Sequence, residues 1–128
     1  MGKTEFRKWI PIEGLSGNLY LEGLHDDYEG FRLLLKEESN QQRILRITFD
    51  PALSYRNTDE GGLLRTIGNK DLGTWSLFIV ENSDYLMWFN EESYGIHQLE
   101  NIIHYAIYTP NDCLDILSIY PPKVKWLT

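Results

Sequence analysis

The sequence predicts a single α+β domain, mainly β: a twisted, mostly antiparallel sheet, curled into a sandwich or half-barrel, with one or two short helices. Three observations predict it. Short runs rich in β-branched and aromatic residues recur along the chain, several with the two-residue apolar/polar period of a half-buried strand. Two further runs, Trp75 to Val80 (WSLFIV) and Asn101 to Tyr108 (NIIHYAIY), are apolar on both faces, as strands in the middle of a covered sheet are. Between them, Glu81-Asn82-Ser83-Asp84 supplies capping side chains, and Tyr85, Leu86 and Phe89 follow at helical spacing. A chain of 128 residues is one domain in size. It buries roughly 70% of its unfolded surface, so it needs no metal or disulfide staple.

In order, Phe6 to Ile12 reads as a first strand, placed at an edge by Pro11. Gly14 to Asn18 is a turn, and Leu19 to Leu24 is a strand with Leu19 and Leu21 on one face and Tyr20 and Glu22 on the other. His25 to Gly30 is turn chemistry leading into Phe31 to Lys36, where Phe31, Leu33 and Leu35 alternate with Arg32, Leu34 and Lys36. After a polar loop, Glu38 to Gln42, the strand Arg43 to Phe49 turns Leu45, Ile47 and Phe49 inward, so the first fifty residues read as an antiparallel meander. Ala52 to Thr58 is a short extended piece, and Thr58-Asp59-Glu60 opens a two-turn helix over Leu63-Leu64, weakened by Gly61-Gly62 and stopped at Ile67-Gly68-Asn69. Past Tyr108, Thr109-Pro110-Asn111-Asp112 fits a helix start. Cys113 to Ser118 is better read as a strand, with Leu114 and Ile116 inward, because Pro121-Pro122 leaves no length for a stable helix. Val124 and Trp126 alternate with Lys123 and Lys125 in a final edge strand, where the lysines discourage edge pairing.

The net charge of −7 is unevenly placed. From Asp71 to Pro122 there is no Lys or Arg, and eight acids give −8; residues 1–70 carry −1, and Lys123 and Lys125 return +2. Such a field repels phosphate backbones, which argues against nucleic-acid binding, and attracts a basic partner. Simple solubility is the competing reading. The single cysteine, Cys113, sits in acidic surroundings that raise a thiol pKa and reads as structural. No apolar signal segment opens the chain and no window approaches the ~20 apolar residues of a membrane span, so a cytoplasmic location without membrane contact is expected.

Motifs that name a reaction are absent: there is no P-loop, GxGxxG, GxSxG or HExxH. The three histidines, His25, His97 and His104, show no metal-ligand spacing, so neither a metal nor a cofactor is expected. His104 lies within an apolar strand, and a carboxylate such as Glu81, at the exit of the other central strand, would give it an acid–base companion. That reading demands a concave pocket at His104; a ring buried and enclosed would remove it. The competing reading is a hydrogen-bonded core histidine. Around the short helix, Tyr85, Trp88, Phe89 and Tyr94 cannot all face the core. Glu91 and Glu92 lie where the helix dipole disfavours acids by ~0.3–1 kcal/mol. Aromatic rings beside acids are the composition of a binding surface, which marks Glu81, Asp84, Tyr85, Trp88, Glu91, Glu92 and Tyr94 as candidate partner-binding residues.

The stretch from Trp75 to Phe89 (WSLFIVENSDYLMWF), with His104-Tyr105, Asp112-x-Leu114-Asp115-x-Leu117-Ser118 and Pro122-x-Val124-x-Trp126, resembles small bacterial proteins of the immunity type found beside polymorphic toxins. The resemblance covers mainly residues 44–127. It implies a cytoplasmic α+β or mainly β domain that binds and neutralises a toxin, often a basic nuclease. For the chain itself a monomer or weak homo-oligomer is expected. It carries over no catalytic residue. A small enzyme using His104, or an oligomerisation module using its edge strands, are the alternatives.

Overall fold

The computed structural model describes residues 3–38, 43–62, 75–97 and 99–127, with Glu60 described in backbone only. Among the described residues nine strands form two antiparallel sheets. Sheet A has the order β1 (Glu5–Lys8), β6 (Leu77–Glu81), β7 (Ile103–Tyr108), β8 (Asp112–Ser118), β5 (Ser54–Asp59). Sheet B has the order β2 (Leu19–Asp27), β3 (Gly30–Glu37), β4 (Ile44–Phe49), β9 (Lys123–Leu127). Helix α1 (Asp84–Glu92) joins β6 to β7, and a 3-10 turn (Glu60–Gly62) follows β5. The sheets pack face to face, so of the two forms the sequence allowed the sandwich is the one adopted.

Between the sheets, Phe31, Leu33 and Leu35 of β3 and Leu45, Ile47 and Phe49 of β4 meet Leu77, Tyr105, Ile107, Leu114 and Ile116 of sheet A. Most are fully enclosed, each worth about 1.5–3 kcal/mol in burial. Phe49 also makes ring contacts with Phe31 and Tyr105, at centroid distances of 5.9 and 5.3 Å.

β2 shows how the sequence solves a parity problem. Leu21 and Leu24 are three apart, so in a regular strand they would face opposite ways. The register with β3 shifts between Leu21 and Gly23, and this bulge returns Leu24 to the core side, opposite Leu33. The hairpin that follows turns at Gly30, whose φ of +107° suits a residue without Cβ.

Two expectations need correction. The first strand does not extend the meander of β2, β3 and β4; it crosses to the other sheet and pairs with β6, Phe6 opposite Val80, supplying backbone partners for the edge of β6 that β7 leaves open. The helix expected from Thr58 begins instead as strand through Asp59 and one 3-10 turn; its remainder, with the stop at Ile67–Asn69, lies outside the described residues, as does most of the loop around Gln41. The strand reading of Cys113–Ser118 holds, and the two doubly apolar runs are neighbours in the middle of sheet A. Among the described residues no helix is long and apolar enough to cross a membrane.

At one end of the sandwich a polar knot closes the core. Glu37, 1% exposed, accepts from Arg43 Nη2 at 2.6 Å and Nε at 3.2 Å and from the Ser16 backbone N–H at 3.2 Å. Arg43 also lies 3.7 Å over the Trp126 ring and donates to Gly14 O, so one guanidinium ties the 14–16 turn to β3 and β9.

Candidate functional site

Sheet A's outer face carries a polar cluster built by register. Asp115 stands opposite Ala106 on β7 and Arg56 on β5. The methyl of Ala106 leaves room for its neighbours two residues away on the same face, His104 and Tyr108, and both reach the carboxylate diagonally. His104 Nε2 lies 2.7 Å and the Tyr108 hydroxyl 2.9 Å from Asp115 Oδ1, while Arg56 Nε donates to Oδ2 at 2.9 Å. Burial raises the Asp115 carboxyl, but the hydrogen bond and charge of His104, then those of Arg56, outweigh it and hold the group below the usual carboxylate range. Burial, reinforced by the Asp115 charge, pushes the Tyr108 phenol up, so it remains a donor.

Ser83 links this cluster to α1. As N-cap it accepts the Leu86 backbone N–H at 3.0 Å, and its Oγ lies 2.6 Å from His104 Nδ1. In the neutral ring the hydroxyl proton is therefore directed at Nδ1, and Nε2 carries the proton given to Asp115. Asn82, at φ +53°, makes the tight turn from β6 into the helix; this conformation is open to Asn, and its side chain donates to Lys3 O. Tyr85 then lies down on the sheet, edge-on to His104 at 5.5 Å, under the Arg56 guanidinium at 4.4 Å and bonded through its hydroxyl to Ser54 at 2.6 Å.

Ser83, His104 and Asp115 are the residue types of a hydrolase triad, but the geometry is that of a scaffold. In the triad the serine bonds Nε2 and the acid Nδ1. Here the order is reversed, so Ser83 sits at the ring nitrogen next to the β7 main chain, with its oxygen committed to the helix cap. His104 and Ser83 are 4% and 5% exposed and Asp115 is fully enclosed. The acid–base reading requires an open pocket at His104, and the ring is enclosed instead. Its carboxylate companion is also corrected: Glu81 is ion-paired with Arg7 at 2.6 Å, and Asp115 takes the place foreseen for it.

What the scaffold holds out to solvent is the far side of α1. Asp84, Met87, Trp88, Glu91 and Glu92 recur at i, i+3, i+4, i+7 and i+8, so they share one stripe, and all are exposed. Trp88 is 51% exposed and stacks on Tyr85 at 5.8 Å and 18°. Inward, Leu86 and Phe89 pack with Tyr85 toward Ile102 and Leu117. The helix ends in a Schellman motif, with Gly95 N–H bonded to Asn90 O at 2.8 Å and Tyr94 N–H to Glu91 O at 3.1 Å. The left-handed position of that motif usually holds glycine; here it is Tyr94, at φ +52°, with its ring 96% exposed. A bulky residue in that region costs ~1–2 kcal/mol, and its side chain makes no compensating burial. Ile96 and Leu99 in the following turn are exposed as well, and the turn is held by Phe89–His97 stacking and a His97–Glu100 bond.

Of the residues singled out from sequence, Asp84, Trp88, Glu91, Glu92 and Tyr94 therefore lie on the surface of α1 and its C-terminal turn. Tyr85 is buried and supports that surface from beneath, and Glu81 is engaged by Arg7. Met87, Ile96 and Leu99 were missed, since isolated apolar residues in a short helix and loop read equally well as core. The acidic excess also narrows. Asp115 is matched by Arg56 and Glu81 by Arg7, and Glu100 is hydrogen-bonded to His97, leaving the α1 acids and Asp112 with no ion pair among the described residues. Among these residues no group of His, Cys, Asp and Glu is arranged to hold a metal ion. No protein-family model matches the chain, and no curated protein or solved structure matches it.

Proposed function

We propose that this chain is a non-enzymatic, protein-binding inhibitor of the immunity type, which engages a basic protein such as a nuclease toxin through the outward surface of α1 and the turn after it. A cytoplasmic location goes with this reading. The observation that carries it is the surface itself: Met87, Trp88 and Tyr94 exposed among Asp84, Glu91 and Glu92, in a stretch with no Lys or Arg from Asp71 to Pro122. Large rings supply the desolvated anchors of an interface, and the unpaired acids supply steering toward a cation-rich partner. Tyr94 supports the reading from another side, because backbone strain kept for a fully exposed ring has no folding benefit.

The test is capture of the tagged protein's partners from its native host at low salt, followed by a salt wash and mass spectrometry. One stoichiometric basic protein released by salt is the expected result. Asp84→Lys with Glu91→Lys should then slow association about 10-fold or more and flatten its salt dependence, with dissociation changed less. A bead that retains no basic protein, or an on-rate indifferent to the double reversal, refutes the reading.

A further inference from the structure

The two outer faces of the sandwich are chemically opposite. Sheet A's outer face carries α1. Sheet B's outer face has no helix packed on it among the described residues, and it presents Arg32, Leu34 and Lys36 of β3, Ile44, Arg46 and Thr48 of β4, and Lys123, Lys125 and Leu127 of β9. Two of its cations are matched, Arg32 by Asp27 at 2.9 Å and Lys36 by Glu22 at 3.2 Å. Arg46, Lys123 and Lys125 have no ion pair among the described residues, and both lysines are exposed. Arg46 and Lys125 are direct cross-strand partners, with Lys123 beside them opposite Thr48. Like charges placed opposite one another weaken a sheet, so this stripe does not come from the demands of folding. Guarding the β9 edge accounts for the lysines but not for Arg46, one strand further in.

We propose that this open face is a docking surface for α1 of a second copy of the chain, so that the protein self-associates head to tail. Sheet A shows what an outer face of this sandwich accepts, a helix packed on its strands, and sheet B carries no such layer among the described residues. The exposed stripe of α1 offers Asp84, Glu91 and Glu92 to Arg46, Lys123 and Lys125, and Met87 and Trp88 to the half-buried Leu34, Ile44 and Leu127. A free polyphosphate would meet the repulsion of the net −7 charge with nothing to offset it, whereas a second copy brings its own acids to the cations. Because the two faces lie on opposite sides of the molecule, the contact is heterologous and adds copies in a row. The inference concerns the chain alone and does not depend on which other protein binds α1.

Sedimentation velocity over a concentration series tests it, at ~10 mM salt, where charges act over about 30 Å, and at ~1 M, where they act over about 3 Å. The expected result is a weight-average mass that rises with concentration at low salt and returns to that of one chain at high salt. Arg46→Glu with Lys125→Glu, and separately Asp84→Lys with Glu91→Lys, should each be single chains, since both faces then carry the same sign. An equimolar mixture of the two variants should associate again, because each supplies the face the other lost. A wild type that is a single chain at low salt throughout overturns the proposal. So does association that survives both reversals, or a mixture that fails to associate. A single-chain wild type that is retained on heparin, with retention lost in the Arg46/Lys125 variant, would assign the face to an anionic partner instead. Partner capture with the Arg46/Lys125 variant separates the two proposals, since that variant keeps the α1 surface intact.

Discussion

Replacing Asp115 by alanine removes the acceptor at the centre of the outer-face cluster, and its cost follows from the geometry. Three donors lose their partner: Arg56 Nε, His104 Nε2 and the Tyr108 hydroxyl. The Arg56 side chain is 46% exposed, so it turns toward water and its share is small. His104 and Tyr108 are 4% and 5% exposed and have no such escape. A buried polar group without a partner costs about 1–3 kcal/mol, and His104 gains nothing by moving its proton to Nδ1, because Nε2 is then an unmatched acceptor. The sum over the two buried donors is about 3–5 kcal/mol. Urea unfolding should show it as a lower midpoint at unchanged slope, and heating as a fall of roughly 10–20 °C in Tm. The acid limb carries a second signature. The folded-state pKa of Asp115 is depressed below its ordinary 3.8, so its contribution is present above that pH and is lost as pH falls through the lower folded value. Wild type and variant should therefore begin to converge in stability only below about pH 3.8, and should differ fully at neutral pH. A loss under ~1 kcal/mol at pH 7, or a difference that persists unchanged into strong acid, refutes the assignment of this cluster as the clamp under α1.

Tyr94→Gly should act in the opposite sense on stability, raising it by ~1 kcal/mol as the left-handed strain is relieved, while weakening partner binding; a destabilised variant would contradict the strain. Trp88→Ala should leave stability within ~1 kcal/mol, since half the ring is already in water, yet cost 2 kcal/mol or more in partner affinity, about 30-fold, by titration calorimetry. Unchanged affinity would remove Trp88 from the surface. Glu37→Ala at the other end of the sandwich should cost about 2–3 kcal/mol in urea unfolding, less than a fully enclosed pair because Arg43 is a third exposed and remains stacked on Trp126.

Alternation in Phe31–Lys36 and Arg43–Phe49 was enough to assign the inward sides of β3 and β4, because a strand with one wet face must sort its residues by polarity. The doubly apolar runs were enough to put β6 and β7 in the middle of a covered sheet. Asp115 was not legible. Its place between Leu114 and Ile116 assigned it to the far face of β8, and a lone acid on a far face reads as solvated. Nothing local says that this face is covered by Tyr85, or that Ala106 opposite leaves space for His104 and Tyr108 to converge. Ser83 was visible as a cap, and its second bond to His104 was not. The acidic surface was half legible: Asp84, Trp88, Glu91, Glu92 and Tyr94 were identified by type, but Tyr85 could be placed beneath them only by the helix's rotation on the sheet.

By itself, then, the sequence determined the properties that depend on neighbours along the chain: strand period, turn and cap chemistry, the cation-free stretch and the lack of any catalytic signature. Tertiary structure alone decided the crossing of β1 to the second sheet, the His104–Asp115 clamp, which acids remain unpaired, and the separation of acidic helix and basic sheet onto opposite faces. Each of these depends on contacts between residues far apart in the chain, such as Arg56 and Asp115 or Arg46 and Lys125, whose meeting is set by strand register and sheet order and leaves no periodic mark on either segment.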